Sequence, residues 1–357
     1  MIKGKKSLLG ILFMIVLMAV TWTVLFRDKS IGLLWAGFKQ INPWFLLLGL
    51  LFMFGYVGCE AMCSHLILGR LGHRVPYRRC LGYSFVGFYV SSITPSATGG
   101  QPAQIYYMNR DKIPAACGAL NMMLIAMCYQ VSSLVWGICA WVFMPSVRNL
   151  SGSMKLLLLC GASIMLLLTG GMAAMVFFPK LSERILKSGL QLLGKLHLLC
   201  KKEAAEEKLE RQLAEYARGA ACLKQNPLLA LRVLGLCLLQ QGCLFLVPWV
   251  VYLAFGLGGY SFIEIAGVQA LLTLAVCNLP LPGAVGPAEG GFVAVFGAVF
   301  GAGLVEPAML IARGISFYAF LLISFAVAVI VHVRGRSYDL AVPSVSAVSG
   351  KSSVAGL

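Results

Sequence analysis

Residues 93–110, ITPSATGGQPAQIYYMNR, interrupt a chain that is otherwise almost continuously apolar. Pro95, Pro102, the adjacent Gly99 and Gly100, and the polar side chains of Thr94, Ser96, Thr98, Gln101 and Gln104 follow an apolar run, residues 80–93, of only 14 positions. At ~1.5 Å per residue that run makes about 21 Å of helix, short of a ~30 Å hydrocarbon core, before proline and glycine stop it. How this stretch is threaded decides the topology of everything around it.

The surrounding composition is that of a membrane protein. Of 357 residues, 59% are hydrophobic and the mean hydropathy is +0.86, so long apolar runs match a bilayer rather than a soluble core. Spanning helices are expected at 7–26, 43–68, 113–144, 156–178, 227–255 and 308–331. The first carries a basic start and a long apolar body without a small-x-small cleavage site, which reads as a retained helix rather than a removed signal. Twelve cysteines lie mostly inside apolar runs without a Cys-x-x-Cys pair, as small buried hydrophobes do.

Charge then sets orientation. The chain has 29 Lys plus Arg against 13 Asp plus Glu, and ten of those cations fall in the linker 179–226. If residues 80–110 crossed the membrane once, that linker would lie outside, against the positive-inside rule. If the stretch enters from the cytoplasm, turns and leaves by the same face, then the N-terminus, the 69–79 and 109–112 loops, the linker and the tail are all cytoplasmic. A second interruption, NLPLPGAVGPAEGG at 278–291, lies between apolar runs 262–279 and 291–303, and the same counting opens it to the outer face.

The two interruptions share a spacing: Pro95-x-Ala97-x-Gly99 with Pro102, and Pro282-x-Ala284-x-Gly286 with Glu289. Residues 43–144 and 227–331 therefore read as two repeats inserted in opposite orientations. The expected fold is an all-α polytopic membrane protein, six spanning helices plus two opposed re-entrant broken-helix hairpins in an inverted-topology repeat. Residues 1–336 form a single transmembrane domain, and 337–357 a disordered tail. Opposed broken helices expose backbone groups to a polar guest near the midplane, as secondary transporters do, whereas simple packing kinks do not need so many polar side chains around them.

The candidate substrate-binding residues are Thr94, Pro95, Ser96, Thr98, Gly99, Gly100, Gln101 and Gln104 in the first break, with Pro282, Gly283, Gly286, Glu289 and Arg313 in and facing the second. Arg313 lies six residues after Pro307, roughly 9 Å into the last helix, where an ionisable group needs a partner or a cavity, and Glu289 is its expected partner. The pair reads either as a structural lock or as a headgroup or proton-coupling site. Glu60 and Arg232 are interior or snorkelling. Asn121, Gln130, Ser133, Gln240, Gln241 and Asn278 suit a polar passage or interhelical hydrogen bonds equally well.

Residues 181–199 have the leucine spacing of an interfacial amphipathic helix, and a charged helix follows, so anionic lipids at the cytoplasmic face are expected partners at roughly 1 kcal/mol per nearby cation. The cations are dispersed and lack an aromatic platform, which argues against nucleic acid. There is no phosphate-binding GxxxxGK[ST], no HExxH and no spacing for a catalytic triad, so neither cofactor nor metal nor catalytic residue is expected.

TPSATGGQP at 94–102 and LPLPGAVGPAEGGF at 279–292 resemble the flippase-like membrane domain of the lysylphosphatidylglycerol synthase family, over roughly residues 7–335. The resemblance implies a bacterial inner-membrane protein that moves a phospholipid, aminoacylated phosphatidylglycerol among the candidates, to the outer leaflet. That transfer lowers surface negative charge and protects against cationic peptides. Full-length members add a cytosolic aminoacyltransferase domain that charges phosphatidylglycerol with lysine, and this chain is expected to lack it. Two further classes stay open: a membrane enzyme or accessory subunit in lipid aminoacylation, and a non-transporting lipid-binding partner of a separate lipid synthase.

Overall fold

The structure is a computed structural model that describes residues 42–143, 152–177, 202–276, 282–284, 286–301 and 303–334. The expected first span at 7–26, the amphipathic segment at 181–199, Asn278 and the tail lie outside the described residues. Those described fold entirely into helices: α1 (Pro43–Arg70), α2 (Tyr77–Ile93), a 3-10 turn (Pro95–Ala97), α3 (Gly100–Arg110), α4 (Ala115–Phe143), α5 (Gly152–Phe177), α6 (Lys202–Lys224), α7 (Pro227–Ala254), α8 (Phe262–Val276), a second 3-10 turn (Pro282–Ala284), α9 (Pro287–Phe300), α10 (Val305–Arg313), a π turn (Gly314–Ala319) and α11 (Phe320–Arg334).

Among the described residues, five stretches are long and apolar enough to cross a membrane: Trp44–Arg70, Ala115–Val142, Leu158–Val176, Pro227–Ala254 and Val305–Arg334. These are the five expected spans that fall within the described residues. The protein is therefore a multi-pass membrane protein. Large apolar side chains such as Leu51, Leu159, Leu167 and Ile138 face outward, as they must where the solvent is lipid.

Local sequence sets the helix ends. α1 and α7 both begin at an Asn-Pro pair, where proline's missing N–H costs nothing in the first turn. The Asn42 side chain accepts a hydrogen bond from the Trp44 N–H at 3.1 Å, satisfying one of the free donors of α1. Among the described residues, α1 and α7 also make the most extensive helix contact. They run antiparallel: Arg70 at the end of α1 bonds Asn226 at the start of α7, Cys63 reaches the Val233 carbonyl, and Glu60 meets Gln240 further along.

Other contacts link the halves. α2 packs on α11 of the other half while α8 packs on α4, and α2 folds against α3 as α8 folds against α9. The first hairpin is stapled at its base, where Asp111 after α3 accepts from the Tyr83 hydroxyl at 2.5 Å and pairs with Arg79 at 3.1 Å, both from α2. At that same end Arg110 donates to the His332 carbonyl of α11 at 3.1 Å. The second hairpin opens at the other end, where Tyr260 before α8 reaches the Ala298 carbonyl of α9. α6 packs across α4, α5 and α7, burying Tyr216, Ala220 and Leu223.

A polar cavity where two broken helices meet

The Pro-x-Ala turns of the two interruptions take the same backbone path. Ser96 and Gly283, the middle residues of the two Pro-x-Ala turns, sit at φ 50° and ψ 26° and at φ 57° and ψ 15°, and Ala97 and Ala284 follow at φ 54° and φ 50°. Left-handed backbone costs an L-residue roughly 1–2 kcal/mol, so such paired turns need surrounding structure to hold them. The turns touch each other, tip against tip.

The first hairpin can close tightly only because of glycine. A Cβ on Gly100 would stand 1.9 Å from the Ser91 Oγ and 2.7 Å from the Gly87 carbonyl oxygen, and one on Gly87 would meet the Gln104 amide at 2.1 Å. α3 thus lies directly on α2, with Gln104 seated in the notch that Gly87 leaves. In the second turn a Cβ on Gly283 would stand 2.3 Å from the Phe317 ring.

Beside the touching tips is a cavity of about 470 Å³, within the size range of small-molecule sites. Its polar lining comes from both halves: Tyr56 and Glu60 of α1, Ser91 and Ser92 of α2, Ser96 of the first turn, Gln101 and Gln104 of α3, Tyr129 and Gln130 of α4, Gln240 of α7, and Arg313 and Ser316 of the last span. The Gly283 backbone forms part of the same wall.

Of the residues the sequence nominates, Ser96, Gln101, Gln104, Gly283 and Arg313 line this cavity. The others build its frame. The Thr94 hydroxyl donates to the Val90 carbonyl at 2.8 Å and accepts from the Gly99 N–H at 3.1 Å, and Thr98 donates to the Pro95 carbonyl at 2.9 Å. Pro95 and Pro282 open the two turns, Gly99 and Gly100 permit close packing, and Gly286 at φ 91° caps α9.

Glu289 and Arg313 do meet. The Arg313 Nε donates to Glu289 Oε1 at 3.3 Å, and its Nη2 donates to the Gly283 carbonyl at 2.9 Å. Glu289 is buried, and its carboxylate also accepts from the Tyr318 hydroxyl at 3.1 Å and from the Gly286 N–H. The Arg313 guanidinium lies 4.5 Å from the Phe317 ring centre. Glu289 therefore ties the second turn to the last span, and Arg313 presents the cation to the cavity.

Glu60 carries more of the site than its isolated position in an apolar run suggests. Its Oε1 accepts from the Gln104 amide at 2.8 Å and its Oε2 from the Gln240 amide at 3.4 Å, so three helices converge on one carboxylate. Arg232, by contrast, is exposed on α7. Gln130 and Gln240 line the cavity, whereas Asn121 bonds Ser64, and Gln241 bonds Ser132 and Ser133 between helices. Among the described residues no group of His, Cys, Asp and Glu could hold a metal ion.

The family model for the lysylphosphatidylglycerol synthase TM region matches residues 7–324. A search of curated proteins finds no match.

Proposed function

Because the chain belongs to the family of the lysylphosphatidylglycerol synthase TM region, related to lipid synthase and flippase domains, we propose that it is a lipid translocase. It carries a phospholipid headgroup between leaflets through the cavity beside the two broken helices. The observation that carries this reading is the tip-to-tip contact of two similarly folded left-handed turns at the wall of a polar cavity inside apolar helices.

Exposed backbone and polar side chains at membrane depth cost several kcal/mol per unsatisfied group, so they persist where a wet cavity or a guest satisfies them. The antiparallel α1 and α7 and the hairpins opening at opposite ends support an inverted-topology repeat in which each hairpin is re-entrant. Arg70, Arg79, Arg110 and Arg334 gather at one end, which we take as the cytoplasmic face, with both termini there in a bacterial inner membrane. Arg313 suits the phosphodiester common to phospholipids, aminoacylated phosphatidylglycerol among them.

Reconstitution into vesicles carrying headgroup-labelled phospholipids tests the reading. Transfer between leaflets faster than in protein-free vesicles is expected, slowed in Arg313→Ala. Rates equal to empty vesicles for anionic, zwitterionic and aminoacylated lipids alike would overturn it.

A further inference from the structure

Glu60 poses a separate problem from Arg313. It lies ten residues before the end of α1 at Arg70, about 15 Å along the helix, deep in an apolar span. An ionised carboxylate there needs a counter-charge or a cationic guest. Among the described residues its hydrogen bonds come from two neutral amides, Gln104 and Gln240. The cavity's cation, Arg313, is already tied to Glu289 and to the Gly283 carbonyl.

The two amides add a second observation. Gln104 is 5% exposed and Gln240 1%, and the carbonyl oxygen of each is buried without a hydrogen-bond partner. An unmet buried acceptor costs about 1–3 kcal/mol, and these two belong to the amides that hold the Glu60 carboxylate in the cavity wall. A carboxylate in a cavity wall, held only by neutral amides whose own acceptors are unmet, is a group that receives positive charge.

We propose that Glu60, Gln104 and Gln240 form a monovalent-cation subsite in the headgroup cavity, distinct from the anion-binding Arg313. The proposal rests on the translocase reading for its purpose but not for its chemistry. A primary ammonium brings three N–H donors to such oxygens, and a sodium ion takes the same oxygens as ligands. The cation comes either from the headgroup itself or from solution as a coupling ion.

The experiment has two arms. Thermal melting of the purified protein is measured in choline chloride, sodium chloride and methylammonium chloride at equal ionic strength. Stabilisation of the wild type by sodium or methylammonium over choline, absent in Glu60→Gln and reduced in Gln240→Leu, is the expected result. Equal melting in all three salts, or stabilisation that survives Glu60→Gln, overturns the subsite whether or not the protein moves lipid. In vesicles, Glu60→Gln should slow lysylphosphatidylglycerol and phosphatidylethanolamine by about tenfold relative to phosphatidylglycerol if the headgroup supplies the cation, the loss of one hydrogen bond to a charged group. If sodium supplies it, the variant should instead lose a sodium dependence shared by all three lipids. Unchanged lipid preference together with unchanged sodium dependence overturns the subsite and leaves the translocase standing. Wild-type vesicles that move no lipid overturn the translocase, and the melting arm then decides the subsite alone.

Discussion

Ser96 and Gly283 hold the same left-handed backbone conformation in two halves of one chain, and the turns they centre touch. The second turn has glycine because Phe317 crowds it, whereas Ser96 bears its side chain toward the cavity. Gly283→Ala therefore adds left-handed strain and drives a methyl into the Phe317 ring. It should destabilise the protein by about 2–4 kcal/mol, seen as a lowered melting temperature in detergent. Ser96→Gly removes strain and should change stability by less than about 1 kcal/mol.

Gly100 packs α3 closely against α2. Its substitution by alanine places a Cβ against the Gly87 backbone oxygen, which cannot rotate away. Gly100→Ala should cost about 1–3 kcal/mol in a thermal or denaturant melt. Gly87→Ala should instead push Gln104 off Glu60, so lipid transfer should fall more than stability does.

The Glu289–Arg313 pair separates structural from functional roles. Glu289→Gln leaves Arg313 without its counter-charge. Because the Arg313 side chain keeps 17% exposure, the loss should be about 2 kcal/mol, below the ~3–5 kcal/mol of a fully buried pair. Arg313→Lys keeps the charge but cannot bond Glu289 and the Gly283 carbonyl with one planar fork. It should retain more stability than Arg313→Ala while transferring lipid more slowly than wild type, as read by melting and vesicle rates on the same preparations.

The α1–α7 seam carries native thiols face to face: Cys59 with Cys243 and Cys63 with Cys237. If the two helices run antiparallel in the membrane, mild oxidation should join the halves. With a protease site inserted between residues 178 and 201, the cut fragments should stay linked on a non-reducing gel and separate on reduction. Cys59→Ser with Cys63→Ser should abolish the link. A link that survives the double substitution would contradict this packing.

Much of this arrangement is legible in the residues themselves. Length and hydropathy mark the five described spans, and proline with glycine marks both breaks, because each acts on the backbone next to it. The shared Pro-x-Ala spacing foretells two turns of one shape. The roles of individual polar residues are less legible. Thr94 and Thr98 look like ligands, yet their hydroxyls bond carbonyls three or four positions back, a local bond that polarity alone does not reveal. Glu60 looks isolated because its partners lie 44 and 180 positions away. Asp111 looks like a loop residue and instead closes the first hairpin against Arg79 and Tyr83.

We propose that the headgroup moves through the cavity beside the two touching turns, and that the turns part to open it. In a background without native cysteines, Ser96→Cys and Ala284→Cys joined by a short, cleavable thiol cross-linker would hold the tips together in reconstituted vesicles. Lipid transfer should stop on cross-linking and return on cleavage. Transfer at the unlinked rate through a fully cross-linked protein would contradict the account.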